Sequence, residues 1–587
     1  MKLYKYLILS IVAASSFSSC LDEEPLYSQN NTVVFSSDSG AELALLGCYA
    51  YMTSTSAYGQ HFQEIPVSGA GFSWSQRNGS DGIVSLQSLS SDGLISTTWN
   101  GMYKVISETN AFLENLNASG LSAETKNQFG GEAKFLRALA YYNLVSLWGD
   151  VPLKTVASTS EGISMPRTPK EQVLGQVVQD LNDALTIKET SDVGRINSWA
   201  VKAFLGKVYY KMAKLGINTN ENLKNAKDMF DAVYNKHVYE LEKNFADLFT
   251  KEGQTKSDVR NEMLWELMYS DQMVNNTNKY HWVALGNGPR MFAQTGQHPG
   301  SLLADTYECI DGLRIDESPL YDPKAPNKNR DPRFGATLKM HGDTIDYYTA
   351  SGTNKFIVEA FANQTQMYNA ALKRWMKTNN PDVNGTAAWT SFVSNGCGYL
   401  WYKYVGGLTE DYSTVTCNIA IMRYAEILLT YAEAKIELGE LDDTVYDAIN
   451  KVRLRAGMPE VSSDRKGNID KMRQLVRRER KVELAMEGLH FADMRRWQIG
   501  DLENAKPSYG APLSTVTYAG MEATDIPNFK TSDRHDLNDI ASYDAYSDKL
   551  HVRDQSRYWD DKFYLWPIPQ SERNKDPNLT QNPGYNE

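Results

Sequence analysis

The feature that most constrains the fold is a helical spacing of apolar residues that only neighbouring helices can bury. Val201, Phe204, Leu205, Val208 and Met212 stand at positions i, i+3, i+4, i+7 and i+11, so they lie on one face of a helix. An isolated amphipathic helix is marginal in water, because most helical stability comes from packing of its apolar face. The sequence therefore predicts a mainly α-helical protein whose helices pack side by side.

The same region carries degenerate internal repeats. Leu205-Gly206-x-x-Tyr209 and, further on, Ala226-x-x-x-Phe230 are similar to the first and second helices of a tetratricopeptide repeat. Each such unit is a helix pair that needs neighbours to bury its faces. We therefore predict a tetratricopeptide-like stack of paired helices.

Turn-rich stretches separate and follow two helical blocks, which run from about residue 99 to 234 and from 423 to 497. Glycine, proline and asparagine cluster in residues 271–418 and 500–561. Long irregular insertions are uncommon in compact domains unless they bind something. We expect ligand-binding residues in these insertions.

The N-terminus has the pattern of a processed export signal. Two lysines precede an uncharged apolar run over residues 7–17, and small residues then lead directly to Cys20. The run is too short to span a bilayer as a permanent helix. It resembles the lipobox of bacterial lipoproteins, so we expect a signal peptide over residues 1–19 and lipid attachment at Cys20. The alternative is ordinary signal cleavage near residues 13–15, which leaves Cys20 as an unmodified thiol.

Charge and cysteine spacing argue against several functional classes. The formal net charge of −12 opposes an electrostatic search for nucleic acid or an anionic membrane surface. No C-x-x-C spacing indicates a zinc site or a redox pair, and we predict neither a metal site nor a cofactor. One disulfide and four separate thiols are both compatible with the remaining cysteines, which are Cys48, Cys309, Cys397 and Cys417.

Short motifs recur along the chain in a fixed order. They are FLRA at 135–138, GDVPL at 149–153, RDPR at 330–333, RYAE at 423–426, RLRAG at 453–457, ER at 479–480, ELAMEG at 483–488, RRW at 495–497, WPIP at 566–569 and NLTQNPGY at 578–585. Together they resemble the signatures of the SusD/RagB family of outer-membrane nutrient-binding lipoproteins. His490 stands where that family more often has arginine.

The resemblance implies a mainly α fold, with a right-handed tetratricopeptide-like helical-repeat scaffold, long irregular loop insertions and a few short strands. It implies a SusD-like N-terminal region over residues 20–235. Residues 236–587 would then hold the ligand-binding insertion, the second helical block and a C-terminal tail. We expect the motifs to be mainly structural, since the spacing of Arg423 and Glu426 favours ion pairs along or between helix faces.

The resemblance also implies a function at the cell surface. A protein of this family would capture an oligo- or polysaccharide at the outer face of the outer membrane, held there by its N-terminal lipid. It would deliver the glycan to a SusC-like TonB-dependent transporter.

Aromatic side chains in polar loops are the natural glycan contacts, because a flat ring covers the apolar face of a sugar while polar neighbours bond its hydroxyls. The candidate ligand-binding residues are Phe72, Trp74, Arg77, Trp99, Asn100, Tyr280 and Trp282. We expect Trp74 and Trp282 to form a shallow aromatic arc, with polar contacts from Arg77 and Tyr280. The helical spacing of Trp99 favours a core position for its ring.

No catalytic motif supports an enzyme. The chain has no H-E-x-x-H, G-x-S-x-G or P-loop sequence. A surface glycoside hydrolase stays open as an alternative, because its two carboxylates need no fixed motif. A RagB-type peptide-binding lipoprotein is the other alternative, and the tryptophan-containing loops favour glycan over peptide.

Overall fold

The computed structural model describes most of the chain. The described residues are 31–60, 62, 67, 69–71, 73–75, 89–157, 164–256, 259–269, 283, 294, 296–349, 352–384, 396–407, 415–530, 539–555 and 557–585. For residues 31–32, 74–75, 347–349, 352–353, 384 and 530 only the backbone is described. The expected lipid-attachment residue Cys20 lies outside this part of the chain.

Helices dominate the described residues, as predicted. The longer ones are α1 Asp38–Met52, α2 Gly93–Ala118, α3 Ala123–Trp148, α4 Lys170–Ala184, α5 Ser198–Lys214, α6 Thr219–Lys236, α7 Tyr424–Glu437, α8 Asp443–Arg455, α9 Ile469–Glu483 and α10 His490–Trp497. Short helices and 3₁₀ turns cover Asn31–Val34, Phe245–Phe249, Lys251–Gln254, Val259–Glu262, Ser301–Ala304, Pro332–Thr337, Pro381–Asn384, Gly500–Asn504, Thr515–Gly520, Ser547–Lys549, Asp561–Tyr564 and Gln570–Lys575. The mainly α fold is confirmed.

The helices from α2 to α9 form one continuous row. Each of α2 to α5 packs against the next helix in sequence, and α7 then packs against both α8 and α9. Although the long insertion separates α6 from α7 in sequence, these two helices also pack together. The two helical blocks seen in the sequence are therefore one stack, with the insertion leaving and re-entering at the α6–α7 junction.

The α5–α6 pair shows why the repeat signature has glycine and phenylalanine at fixed places. Phe230 on α6 is fully buried against Gly206 on α5. A Cβ atom at Gly206 would lie 2.7 Å from Cε1 of the Phe230 ring, closer than packed atoms allow. The predicted stripe on α5 is buried from Val201 to Val208, and Met212 at its end is half-buried.

Strands occur mainly in the insertion and after the second helical block. They are β1 Ser73–Ser75, β2 Met263–Leu267, β3 Gln297–Pro299, β4 Leu338–Met340, β5 Thr344–Thr349, β6 Gly352–Ile357, β7 Gln364–Asn369, β8 Arg374–Asn379, β9 Tyr399–Trp401, β10 Ile419–Arg423, β11 Ser508–Pro512, β12 Asn528–Lys530, β13 Ile540–Ser542 and β14 Leu550–Arg553. Antiparallel pairing of β2 with β10 closes the base of the insertion.

The insertion is more regular than its turn-rich sequence indicates. Strands β5, β6, β7 and β8 form a four-stranded antiparallel sheet in sequence order. The residues facing the core from this sheet include Ile345 and Phe356, which are 0% and 1% exposed. Its strands need partners to bury this face, so the local sequence pattern alone did not reveal the sheet.

The proline-rich tail crosses the end of α3 and is packed there. Trp566 donates its backbone N–H to the carbonyl oxygen of Leu147 at 2.7 Å, and the Trp148 indole N–H donates to the carbonyl oxygen of Pro567 at 3.1 Å. Asn582 donates its side-chain amide to the carbonyl oxygens of both Trp148 and Trp566. The tail is therefore a structural strap over the helical stack.

The four cysteines of the described chain are separate buried thiols. Burial raises the pKa values of Cys48 and Cys397 to about 12, so both stay protonated at neutral pH. Among the described helices, none combines the length and the apolar character needed to cross a bilayer.

Candidate functional site

Backbone pairing joins the two segments from which glycan contacts are predicted. Strand β1 pairs antiparallel with β3, and Trp74 stands opposite His298 in this register. The Ser73 hydroxyl donates to the carbonyl oxygen of His298 at 3.1 Å. The N-terminal segment that carries Trp74 is therefore fixed to the early part of the insertion, at residues 297–299.

A cavity of about 150 Å³ provides a second meeting point for the two segments. Val283, which follows Trp282 in sequence, is 5% exposed and lines this cavity together with Tyr58 and Phe62. The rings of Tyr58 and Phe62 are stacked, with their centroids 4.9 Å apart. Tyr58 and Phe62 from the N-terminal part of the chain and Val283 from the insertion therefore line the same cavity.

The far wall of this cavity comes from the helical stack and contains charged groups. Lys207 Nζ lies 2.6 Å from Glu426 Oε1. Lys211 is 8% exposed and forms no ion pair with any residue that the structure describes. Burial lowers the pKa of Lys211 to about 8, and the nearby Arg495 and Arg496 charges add to this effect. The cavity therefore combines aromatic walls with an amine and a carboxylate that can bond hydroxyl groups.

The loop behind Tyr58 is held by a close helix contact. Gly101 on α2 lies against Ser56, and a Cβ atom at Gly101 would come within 2.4 Å of the Ser56 carbonyl oxygen. Glycine is needed there because any side chain would displace this backbone. The α2 helix thus sets the position of the turn that reaches the cavity.

Trp99 and Asn100 occupy different environments at the start of α2. Trp99 is 3% exposed, and its ring contacts Tyr103 and meets Trp148 edge-on at centroid distances of 5.0 and 5.1 Å. The core position expected from its helical spacing is confirmed, and its ring offers no open face for a sugar. Asn100 is exposed and lines an outer groove of about 370 Å³ with Lys104 and Lys154.

The other predicted contacts fall outside the described chain. Phe72, Arg77, Tyr280 and Trp282 are not described, and of Trp74 only the backbone is. The roles of these residues stay predictions. Tyr58 and Phe62 are not among the predicted contacts, although both are aromatic residues that shortly precede Trp74 in sequence and so carried a usable signal.

The family-like motifs build buried ion pairs beneath this region. Arg423 is 1% exposed, and its guanidinium lies 2.7 Å from both Glu483 and Glu487 and 2.8 Å from Glu262. Glu426, the expected neighbour of Arg423 along the chain, instead pairs with Lys207. The ion pairs therefore run between elements and not along one helix, which makes them clamps of the tertiary structure.

His490 also takes part in such a clamp. Its Nε2 atom lies 2.6 Å from Glu503 Oε2, and Lys481 Nζ lies 2.6 Å from Glu503 Oε1. Burial raises the pKa of Glu503, but His490 and Lys481 outweigh this effect and lower the pKa to about 2. Histidine at this position therefore keeps a local pair for the buried carboxylate.

No cluster of three or more His, Cys, Asp or Glu side chains with metal-binding geometry occurs within the described ranges. The buried carboxylates of Glu433, Glu479, Glu483 and Glu503 each face arginine, lysine or histidine instead. These groups hold the scaffold together.

Sequence models of two families match this chain. The model described as "SusD family" matches residues 261–585, which is more than half of the chain. The chain belongs to the SusD family. A second model, described as "Starch-binding associating with outer membrane", matches residues 20–210. The family assignment made from the short motifs is thus confirmed.

Named relatives and solved SusD structures extend this similarity over nearly the whole chain. A SusD-like protein of Formosa agariphila is 25% identical over 534 residues, covering 84% of this chain and 89% of the relative. A SusD-like protein of Bacteroides ovatus is 25% identical over 453 residues, covering 71% of this chain and 68% of the relative.

Two crystal structures from Bacteroides fragilis share the fold. One is a SusD-like protein with 21% identity and a TM-score of 0.71, covering 96% of this chain and 100% of that one. The other is a SusD-like carbohydrate-binding protein with 23% identity and a TM-score of 0.71, covering 93% and 100%. A laminarin-binding SusD-like protein has a TM-score of 0.59 at 19% identity, covering 93% and 99%. The SusD fold is therefore shown by structure as well as by sequence.

Proposed function

We propose that this SusD-family protein captures an oligo- or polysaccharide at the cell surface and delivers it to a partner TonB-dependent transporter. The observation that carries the proposal is the pairing of β1 with β3, which ties the Trp74 segment to the insertion that contains Trp282. Trp74 and Trp282 would then supply stacking surfaces for sugar rings. Membership of the SusD family and the outer-membrane starch-binding description of the matched N-terminal model support the same function.

The proposed anchor is a lipid on Cys20. Lipid attachment at that residue would place the domain at the outer membrane without a spanning helix. The proposed mode of action is non-catalytic: the protein holds the glycan while other proteins cleave and transport it. Prolonged incubation of the protein with a bound polysaccharide should therefore release no new reducing ends.

Glycan binding is tested by affinity electrophoresis against a panel that includes laminarin and starch, followed by calorimetry on each polysaccharide that retards the protein. Trp74→Ala and Trp282→Ala should each weaken binding by about five- to a hundred-fold, as expected when a well-used aromatic contact is lost. Their melting temperatures should stay close to that of the wild type.

Trp99→Ala is the matched control, because Trp99 is a buried tryptophan of known environment. Its truncation should cost about 3–5 kcal/mol of stability through lost burial and a cavity. If Trp74→Ala and Trp282→Ala behave like this control, or leave the affinity unchanged, the two residues belong to the scaffold. Binding of extended peptides in place of polysaccharides would favour the RagB-type alternative.

A further inference from the structure

The β7–β8 hairpin presents an unusual solvent face at the edge of the four-stranded sheet. Cross-strand partners lie on the same face of a sheet, and successive residues alternate between faces. Phe356 pairs with Met367, which pairs with Met376, and this row belongs to the inner face. The neighbouring row therefore lies on the outer face of the sheet.

That outer row contains two aromatic rings. Lys355 pairs with Tyr368, and Tyr368 pairs with Trp375 on the edge strand. Trp375 is 41% exposed, and its ring meets that of Tyr368 at a centroid distance of 5.6 Å. Tyr368 and Trp375 together therefore expose a small aromatic surface at the edge of the sheet.

Two ammonium groups flank the ring pair on the same face. Lys355 stands beside Tyr368 on one side, and Lys377 lies two residues beyond Trp375 on the other, opposite Gln366. Neither lysine forms an ion pair with any residue that the structure describes. Lys373 and Arg374 at the turn of the hairpin add two further positive charges.

Acidic residues neutralise this patch only in part. Residues 344–379 contain two carboxylates, Asp346 and Glu359, against the four cations Lys355, Lys373, Arg374 and Lys377. Asp346 stands opposite Lys355 in the β5–β6 register and lies on the same outer face, on the side of Lys355 away from Tyr368. Glu359 already accepts the backbone N–H of Phe361 at 2.8 Å and lies 3.3 Å from His341 Nδ1. A local excess of positive charge on a chain with a net charge of −12 marks this hairpin as complementary to an anion.

We propose that the outer face of the β7–β8 hairpin is a second polysaccharide-binding site, selective for glycans that carry carboxylate or sulfate groups. Tyr368 and Trp375 stack on the apolar faces of sugar rings, while Lys355 and Lys377 pair with acidic groups on either side. Gln366 bonds a hydroxyl between them. The inference rests on the proposed function, since it assigns a chemical class to a further contact of a glycan-capturing protein.

The test compares dextran sulfate and polygalacturonate with unmodified dextran, which shares the dextran sulfate backbone but has no charge. The wild type should bind both anionic polymers and not dextran. The double variant Lys355→Gln/Lys377→Gln should weaken that binding by about five- to tenfold, a loss that lies within the range for two exposed charge contacts. Trp375→Ala should weaken it by about five- to a hundred-fold through the lost stacking face.

A double variant elsewhere controls for overall charge. Lys224→Gln/Lys328→Gln removes two exposed lysines that lie outside the hairpin, and it should change the affinity by no more than about twofold. Raising the salt from about 0.05 M to about 0.5 M should weaken binding more for the wild type than for Lys355→Gln/Lys377→Gln. Circular dichroism and melting curves should show that all variants are folded, because the altered side chains are exposed.

Several outcomes would overturn the inference. The hairpin variants could bind the anionic polymers as well as the wild type does, or the control variant could lose as much affinity as they do. The hairpin variants could also lose association with the transporter while keeping anionic polysaccharide binding, which would make this face a protein-docking surface. A wild type that binds a neutral polysaccharide through Trp282 but ignores both anionic polymers refutes this inference alone, whereas a wild type that binds no polysaccharide refutes the proposed function too.

Discussion

The substitution Glu483→Gln should destabilise the protein strongly while changing its shape very little. Glu483 is fully buried, and its carboxylate lies 2.7 Å from Arg423 and 3.0 Å from Arg333, with Arg455 as a third partner. Burial raises the pKa of Glu483, but Arg455, Arg423 and Arg333 outweigh it and hold the pKa well below its ordinary value of 4.5. The amide keeps the volume of the side chain but removes the negative charge that the three arginines share.

The expected loss follows from the burial of these charges. Removing one partner of a buried ion pair costs about 3–5 kcal/mol, because the remaining charges are left uncompensated. At about 2.1 cal/mol/K per residue, the 587 residues give an unfolding entropy of about 1.2 kcal/mol/K. The melting temperature should therefore fall by about 2–4 °C.

Scanning calorimetry and urea denaturation at pH 7 measure this effect. Glu460→Gln is the matched control, since Glu460 is an exposed carboxylate that should tolerate the change within about 0.5 kcal/mol. A pH series adds a second criterion. Because the folded pKa of Glu483 is depressed, its contribution is complete above pH 4.5 and is lost as the pH falls below that value. The difference in the free energy of unfolding between the wild type and Glu483→Gln should therefore shrink as the pH falls below 4.5.

An unchanged melting temperature for Glu483→Gln at pH 7 would refute the view that this carboxylate clamps the helical stack. A difference in the free energy of unfolding that stays constant down to about pH 3 would refute it too, because the depressed pKa of Glu483 requires that difference to shrink below pH 4.5.

Three further predictions concern other parts of the chain. Gly101→Ala should lower the melting temperature, because the new Cβ would lie 2.4 Å from the Ser56 carbonyl oxygen, whereas Gly175→Ala in α4 meets no atom within 4 Å and should be neutral or stabilising. Glu503→Gln should destabilise at pH 7, and this loss should fade between pH 4.5 and about 2 because the Glu503 carboxylate contributes only while it is ionised; a pH series of urea midpoints measures it. Cys20→Ala should move the protein from the membrane fraction to the soluble fraction on cell fractionation, and an unchanged distribution would contradict lipid anchoring at that residue.

The candidate site was predictable in part. The aromatic residues of the N-terminal segment and of the insertion could be selected because polar, turn-rich surroundings provide no apolar face to bury them. That the segments adjoin could not be read from the sequence, since the pairing of Trp74 with His298 joins residues from separate parts of the chain. The outer face of the β7–β8 hairpin was likewise invisible, because it depends on strand register and not on spacing along one strand.

The sequence by itself determined where the helices form and which of their faces are buried. The stripe from Val201 to Val208 and the Gly206–Phe230 contact follow from a helical period of 3.6 residues, which acts over a few turns and is therefore readable locally. The tertiary structure alone decided which charges meet. Arg423 pairs with Glu483 across 60 residues of sequence while its helical neighbour Glu426 pairs with Lys207. Buried charges must find their partners wherever the packed elements place them, so the fold and not the local spacing selects each pair.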